Sequence, residues 1–251
     1  MFGKFVNVKA GAAALAIAVS GFAYTSDASA GTVRLENEGS TPFGSPEWAR
    51  QVVYSVDGEE QTSTAGLFRL KDSDSGQGIL AWCVELLQEL DLPDTYAVNA
   101  RTPTAAVAAN LNKLFTTSYD MVINSPGNDN KKRNQAAGFQ LVIWEIITDT
   151  NSSEGLDLTN GDFIVLDGEN QTRGGIVANA ETFLRRMEYT ADRNYMYKSD
   201  KEYTYSFFNN DESQDLISAE EAVAAVPVPA AGLLLLSGLA GFGAMRRRRK
   251  A

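Results

Sequence analysis

The hydrophobic period of this chain changes once, at Thr102–Pro103, and that change constrains the fold more than any other feature. Upstream the residues read mostly as strands. Gly31 to Leu35 alternates, and Ala49 to Val56 runs into Asp57-Gly58, a hairpin-turn signal. Ala65 to Leu70 forms a further strand, and Asp72 to Gly76 a loop. Ile79 to Leu87 is a short, mostly apolar run carrying Cys83. Period alone does not separate a buried strand from a helix there, but its length and flanking glycines favour a strand. Downstream, Thr102 followed by Pro103 predicts a helix start, with Val107, Leu111, Leu114 and Phe115 on one apolar face. Residues 124–134 read as a polar loop. A second helix is predicted from about Gln135 to Thr148, with Ala137, Leu141, Trp144 and Ile147 apolar and Gln140 beside them. Residues 157–166 look extended, a third helix spans about Gly175 to Met187, and Glu202 to Phe208 alternates as a closing strand. The expectation is an α+β chain: a β-sandwich or barrel-like domain over residues 31–208 with an inserted helical pair. Residues 209–225, acidic and then Ala-rich, read as a linker. No internal repeat is visible.

Both ends look like addresses rather than fold. Lys4 and Lys9 precede an apolar run from Ala10 to Tyr24, and Ala28-Ser29-Ala30 is a small-x-small cleavage site. Residues 1–30 therefore read as a secretory signal peptide, the other reading being an uncleaved anchor. At the far end Pro227 and Pro229 stop a helix, and Ala230 to Met245 is apolar and uncharged. Arg246, Arg247, Arg248, Arg249 and Lys250 follow and hold their side cytoplasmic. This predicts a single C-terminal membrane helix, and an ordinary anchor is one reading of it. Val226-Pro227-Val228-Pro229-Ala230, the Gly-rich apolar stretch and the Arg-rich end also resemble, as a set, the PEP-CTERM sorting signal in its VPLPA variant, with Val228 where the variant has Leu. The resemblance covers residues 226–251. It implies cleavage near the Pro motif by an exosortase-type membrane enzyme, a transient inner-membrane anchor, and a Gram-negative host that makes exopolysaccharide.

Between the two addresses, fifteen Lys and Arg face thirty-one Asp and Glu, a net charge near −16. Such acidity argues against nucleic acid as a partner. The chain has no His, which removes His-based triads, general bases and metal ligands together, and no metal or other cofactor is expected. It has one Cys, so an internal disulfide is excluded.

A lone Cys in an apolar run reads first as a small buried hydrophobe, and a Gln on a half-apolar helix as a surface or capping amide. Taken together, Ala81-Trp82-Cys83-Val84-Glu85-Leu86 and Phe139-Gln140-Leu141-Val142-Ile143-Trp144-Glu145 resemble the two halves of a bacterial thioester domain. In that family the Gln half is written Thr-Gln-x-Ala-Ile-Trp. Gln140, Ile143 and Trp144 match it, while Phe139 replaces the Thr and Val142 the Ala. The resemblance implies that the Cys83 thiolate attacks the Gln140 side-chain carbonyl and expels ammonia. The thioester so formed would couple to a surface amine or other nucleophile. Rigid placement of both groups would supply a large effective molarity. Trp82 and Trp144 are candidates for the wall that keeps water out, and plain core packing is the other reading of both.

The expected function is adhesion at the cell surface or in a biofilm matrix, by a secreted, non-enzymatic protein. The alternative is a non-covalent structural or carbohydrate-binding matrix protein with an inert buried Cys83. Asp72 to Gly76 resembles the start of a calcium loop, but its twelfth position is Cys83, so a solvated turn is the better reading. Glu85 and Glu145 sit beside the two motifs, where surface solvation is the better reading and assistance in proton transfer the other.

Overall fold

The computed structural model describes residues 31–44, 47–151, 155–166, 175–191 and 201–222. The leader at 1–30 and the sorting segment at 226–251 lie outside the described residues. Nine strands and three helices run in the order β1 (Thr32–Asn37), β2 (Ala49–Val56), β3 (Glu59–Gly66), β4 (Phe68–Asp72), β5 (Gly78–Cys83), β6 (Asp94–Val98), α1 (Ala105–Ile123), α2 (Asp129–Asp149), β7 (Phe163–Val165), α3 (Ile176–Ala191), β8 (Tyr203–Asn209) and β9 (Leu216–Glu221). Six strands close a barrel in the order β1-β4-β5-β9-β8-β6, and β3-β2-β7 form a separate sheet. The mixed helix-and-strand class is as the periods predict. Among the described residues no helix is long and apolar enough to cross a membrane.

The β2–β3 hairpin turns where Asp57-Gly58 announces it. Both residues have positive φ, 52° and 82°, as a two-residue turn matched to strand twist requires. The next element departs from expectation. Ala65 to Leu70 is not one strand: β3 ends at Gly66, β4 starts at Phe68, and Leu67 carries the chain from one sheet to the other. Gly66 makes this crossing possible, because a Cβ there would sit 2.4 Å from the Trp48 carbonyl oxygen.

Helix starts also differ from the sequence reading. The first helix is capped by Thr104, whose side chain accepts from the Val107 N–H, so Pro103 precedes the cap. The second begins at Asp129, well inside the expected polar loop, with Asn128 capping Lys131. Its first turn is polar because it projects past the core. There Arg50 reaches across from β2 to Asn130 and Asn134. Beyond Gln135 almost every residue of α2 is buried, since barrel, small sheet and the other helices surround it. The expected linker is corrected most clearly. Residues 216–221 are β9, hydrogen-bonded between β5 and β8, and residues 201–222 close the barrel. Leu216, Ile217 and Ala219 are buried apolar residues, which explains the strand.

Barrel and helices share one core. Trp82 of β5 meets Phe115 and Tyr119 of α1 and Phe139 of α2 at ring separations of 5.7, 5.5 and 5.0 Å, and Phe139 continues to Phe183 of α3. Such aromatic pairs add directional attraction to burial.

Candidate functional site

Cys83 is the last residue of β5, and the site exists because β4 has left its side by that point. The register pairs Phe68 with Ala81, so the residue that would face Cys83 is Gly66. Gly66 is instead paired with Ala49 in the other sheet. On the opposite side Val84 donates to the Asp215 carbonyl, so the Cys83 N–H and C=O point away from β9. Two buried backbone groups are left without a strand.

Gln140 supplies the missing partner. Its Oε1 accepts the Cys83 N–H at 3.0 Å and its Nε2 donates to the Cys83 carbonyl at 2.8 Å. The side-chain amide thus completes the ladder as a peptide unit would. Gln140 is 1% exposed and Cys83 2%. The reading of Gln140 as a surface or capping amide is therefore corrected, and residues 57 positions apart are in mutual contact.

The thiol itself donates to the Glu85 carbonyl, and the Glu85 N–H donates back to Sγ at 3.2 Å. Burial pushes the Cys83 thiol well up. The Trp144 indole, close to the sulfur, and the Glu85 backbone oppose that shift. The indole N–H closes no hydrogen bond of its own. Trp144 packs on Tyr54 at 5.3 Å, and both pack on Phe163. Tyr54 donates to the Leu86 carbonyl at 3.1 Å, pinning the loop after Cys83. Its own phenol is pushed up chiefly by burial, with a smaller contribution from the neighbouring Cys83.

The two tryptophans therefore have different places. Trp144 lies against the sulfur, whereas Trp82 belongs to the aromatic cluster with α1, since consecutive strand residues face opposite ways. Sequence reasoning missed Tyr54 and Gln214. Only the buried alternation of β2 hinted at the first, and the second sat in the supposed linker.

Glu145 is not solvated, and Glu85 only in part. Glu85 is half-buried and accepts the Asp215 N–H at 3.0 Å, fixing the approach to β9. Glu145 is fully buried; Oε1 accepts the Asp157 N–H at 2.7 Å and Oε2 has no partner. Burial, with smaller contributions from Asp149 and Asp157, raises its pKa to about 8. Among the described residues no group of His, Cys, Asp and Glu could hold a metal ion. The Asp72 loop closes on itself through Ser75 and the Asp74 N–H.

The arrangement suits acyl chemistry. A backbone N–H at 3.0 Å from Oε1 polarises the Gln140 carbonyl and stands where an oxyanion would need a donor. The Cys83 thiol belongs to the same residue as that donor. Comparison with known proteins finds no family model, no curated protein and no solved structure that matches the chain.

Proposed function

We propose that this is an exported surface protein in which Cys83 and Gln140 close an internal thioester that couples covalently to nucleophiles on a target. The reciprocal pair of hydrogen bonds between the Gln140 amide and the Cys83 backbone carries the reading. It holds the amide carbon beside the only thiol in the chain. Sγ moves only on the Cα–Cβ torsion, and the reaction requires it to leave the Glu85 carbonyl and reach that carbon. The S–Cδ bond forms, the Cδ–Nε2 bond breaks, and the thiol proton leaves with nitrogen as ammonia. A target amine or hydroxyl then bonds to Cδ, the S–Cδ bond breaks, and the proton of the nucleophile passes to sulfur. Export fits this chemistry, and the PEP-CTERM-like tail, processed by an exosortase-type enzyme, would deliver the domain to the cell surface or exopolysaccharide matrix through a transient membrane anchor.

The second reading is the non-covalent matrix protein with an inert thiol. It is favoured by the same amide acting as a strand substitute and by the thiol's bond to Glu85. Intact mass separates the two. Freshly purified native protein should be lighter than its sequence by one ammonia, methylamine should add at Gln140, and Cys83→Ala should abolish both. A full sequence mass in native protein that methylamine leaves unchanged refutes the thioester.

A further inference from the structure

Beside the site lies a groove of about 390 Å³ bounded by β3, the loop after Cys83 and Gln214. Neither Cys83 nor Gln140 lines it, but two of its lining residues touch the groups around them. Tyr54 lines it while its ring packs on Trp144 and its hydroxyl holds Leu86. Gln214 also lines it and donates to the Glu85 carbonyl, the same oxygen that takes the thiol hydrogen bond. One aromatic ring and one shared carbonyl therefore separate the groove from the sulfur.

The lining is chemically uneven. Gln61, Thr62, Ser63, Thr64, Gln88 and Gln214 offer neutral hydroxyls and amides, Glu89 is the one charged side chain, and no Lys or Arg takes part. Phe43 and Phe68, stacked at 4.9 Å, and Tyr54 add aromatic faces. Neutral donor–acceptor groups beside aromatic faces match the hydroxyls and C–H faces of sugar rings. A groove without cations, in a chain of net charge −10, disfavours an anionic polymer.

We infer that the groove seats a neutral polysaccharide and that the acceptor of the Gln140 acyl group is a sugar hydroxyl. This rests on the thioester reading and names its substrate. The hydroxyl oxygen bonds to Gln140 Cδ, the Cδ–Sγ bond breaks, and the hydroxyl proton passes to Sγ. The products are an ester and a free Cys83 thiol.

The test uses the full chain, methylamine and a dextran oligomer. The mass of untreated protein first reports whether ammonia has been lost. If it has, dextran should add as a hydroxylamine-labile ester at Gln140. Gln61 and Ser63 share a strand face with Tyr54, since Tyr54 pairs with Gln61, and neither makes a side-chain hydrogen bond among the described residues. Gln61→Met with Ser63→Ala should cut dextran ester formation about tenfold, the loss expected for two hydrogen bonds, while methylamine capture stays within about twofold. If ammonia is retained, the thioester reading fails alone, and dextran binding to Cys83→Ala protein decides the groove. Dextran that neither adds nor binds, capture of a lysine peptide but no sugar, or equal loss of both captures in the double variant overturns the inference.

Discussion

The role of Gln140 as a substitute strand can be measured apart from any covalent bond. In a Cys83→Ala background no thioester forms, yet the backbone at position 83 still needs its partner. Replacing Gln140 with Met there keeps the side-chain length and removes both polar atoms. The N–H and C=O now served at 3.0 and 2.8 Å are then left buried and unpaired. Each orphaned group costs about 1–3 kcal/mol, so the pair should cost roughly 2–6 kcal/mol. That is a large part of the 5–15 kcal/mol typical of a folded domain. Urea denaturation followed by tryptophan fluorescence gives the difference between Cys83→Ala and Cys83→Ala/Gln140→Met. The slope should be unchanged and the midpoint lower. A loss under about 1 kcal/mol would refute the argument, because it would mean the backbone at the end of β5 finds another partner.

Two further outcomes follow from groups away from the thiol. Glu145 has its pKa raised from 4.5 to about 8, chiefly by burial, so the folded state holds a proton that the unfolded chain releases earlier. Its contribution is fully present below about 4.5 and is lost as pH rises through about 8, by at most roughly 5 kcal/mol at ~1.4 kcal/mol per unit. Glu145→Gln should stay neutral and keep the acceptor for Asp157, so its stability relative to wild type should rise between pH 5 and 9; a pH-independent difference in urea midpoints would contradict this. Gly138 marks the closest approach of α2 to α3, where a Cβ would lie 2.8 Å from the Ile176 carbonyl oxygen and 3.0 Å from the Ala180 nitrogen. Gly138→Ala should cost about 1–3 kcal/mol by forcing backbone apart, and an unchanged thermal midpoint would show that the helices have slack.

Much of this was legible in the sequence where periodicity and local rules decide. The Asp57-Gly58 turn, the apolar face of α1 and the buried stripe of Ile176, Ala180, Phe183 and Met187 are all set by near neighbours. The misreadings share a cause, which is pairing with distant chain. Leu216 to Glu221 read as linker, yet they pair with β5 on one side and β8 on the other. Leu67 looks like mid-strand because its break depends on Trp48, whose carbonyl takes its N–H. Glu145 looks solvated because the loop that buries it is supplied by Asp157, twelve positions on. For the candidate site, Cys83 and Gln140 were singled out by the resemblance to a thioester domain, since each alone reads as an ordinary residue. The gap that seats the amide was not legible, because it arises where one chain serves two sheets.

The reassignment of residues 216–221 from linker to barrel bears on the proposed sorting. A linker reaching back to residue 209 would let an exosortase-type enzyme cut far from folded structure. With β9 ending at Glu221, only residues 222–225 separate the last barrel strand from Val226. Fully extended, the step from Glu221 to Val226 spans at most about 18 Å. Within β9, Leu216 pairs with Cys83, and Asp215 just before it takes the Val84 N–H. The strand nearest the proposed cut is therefore also the wall of the Cys83–Gln140 site. The site lies at the Leu216 end of β9, whereas the tail leaves from the Glu221 end, so the tether and the site occupy opposite ends of that strand.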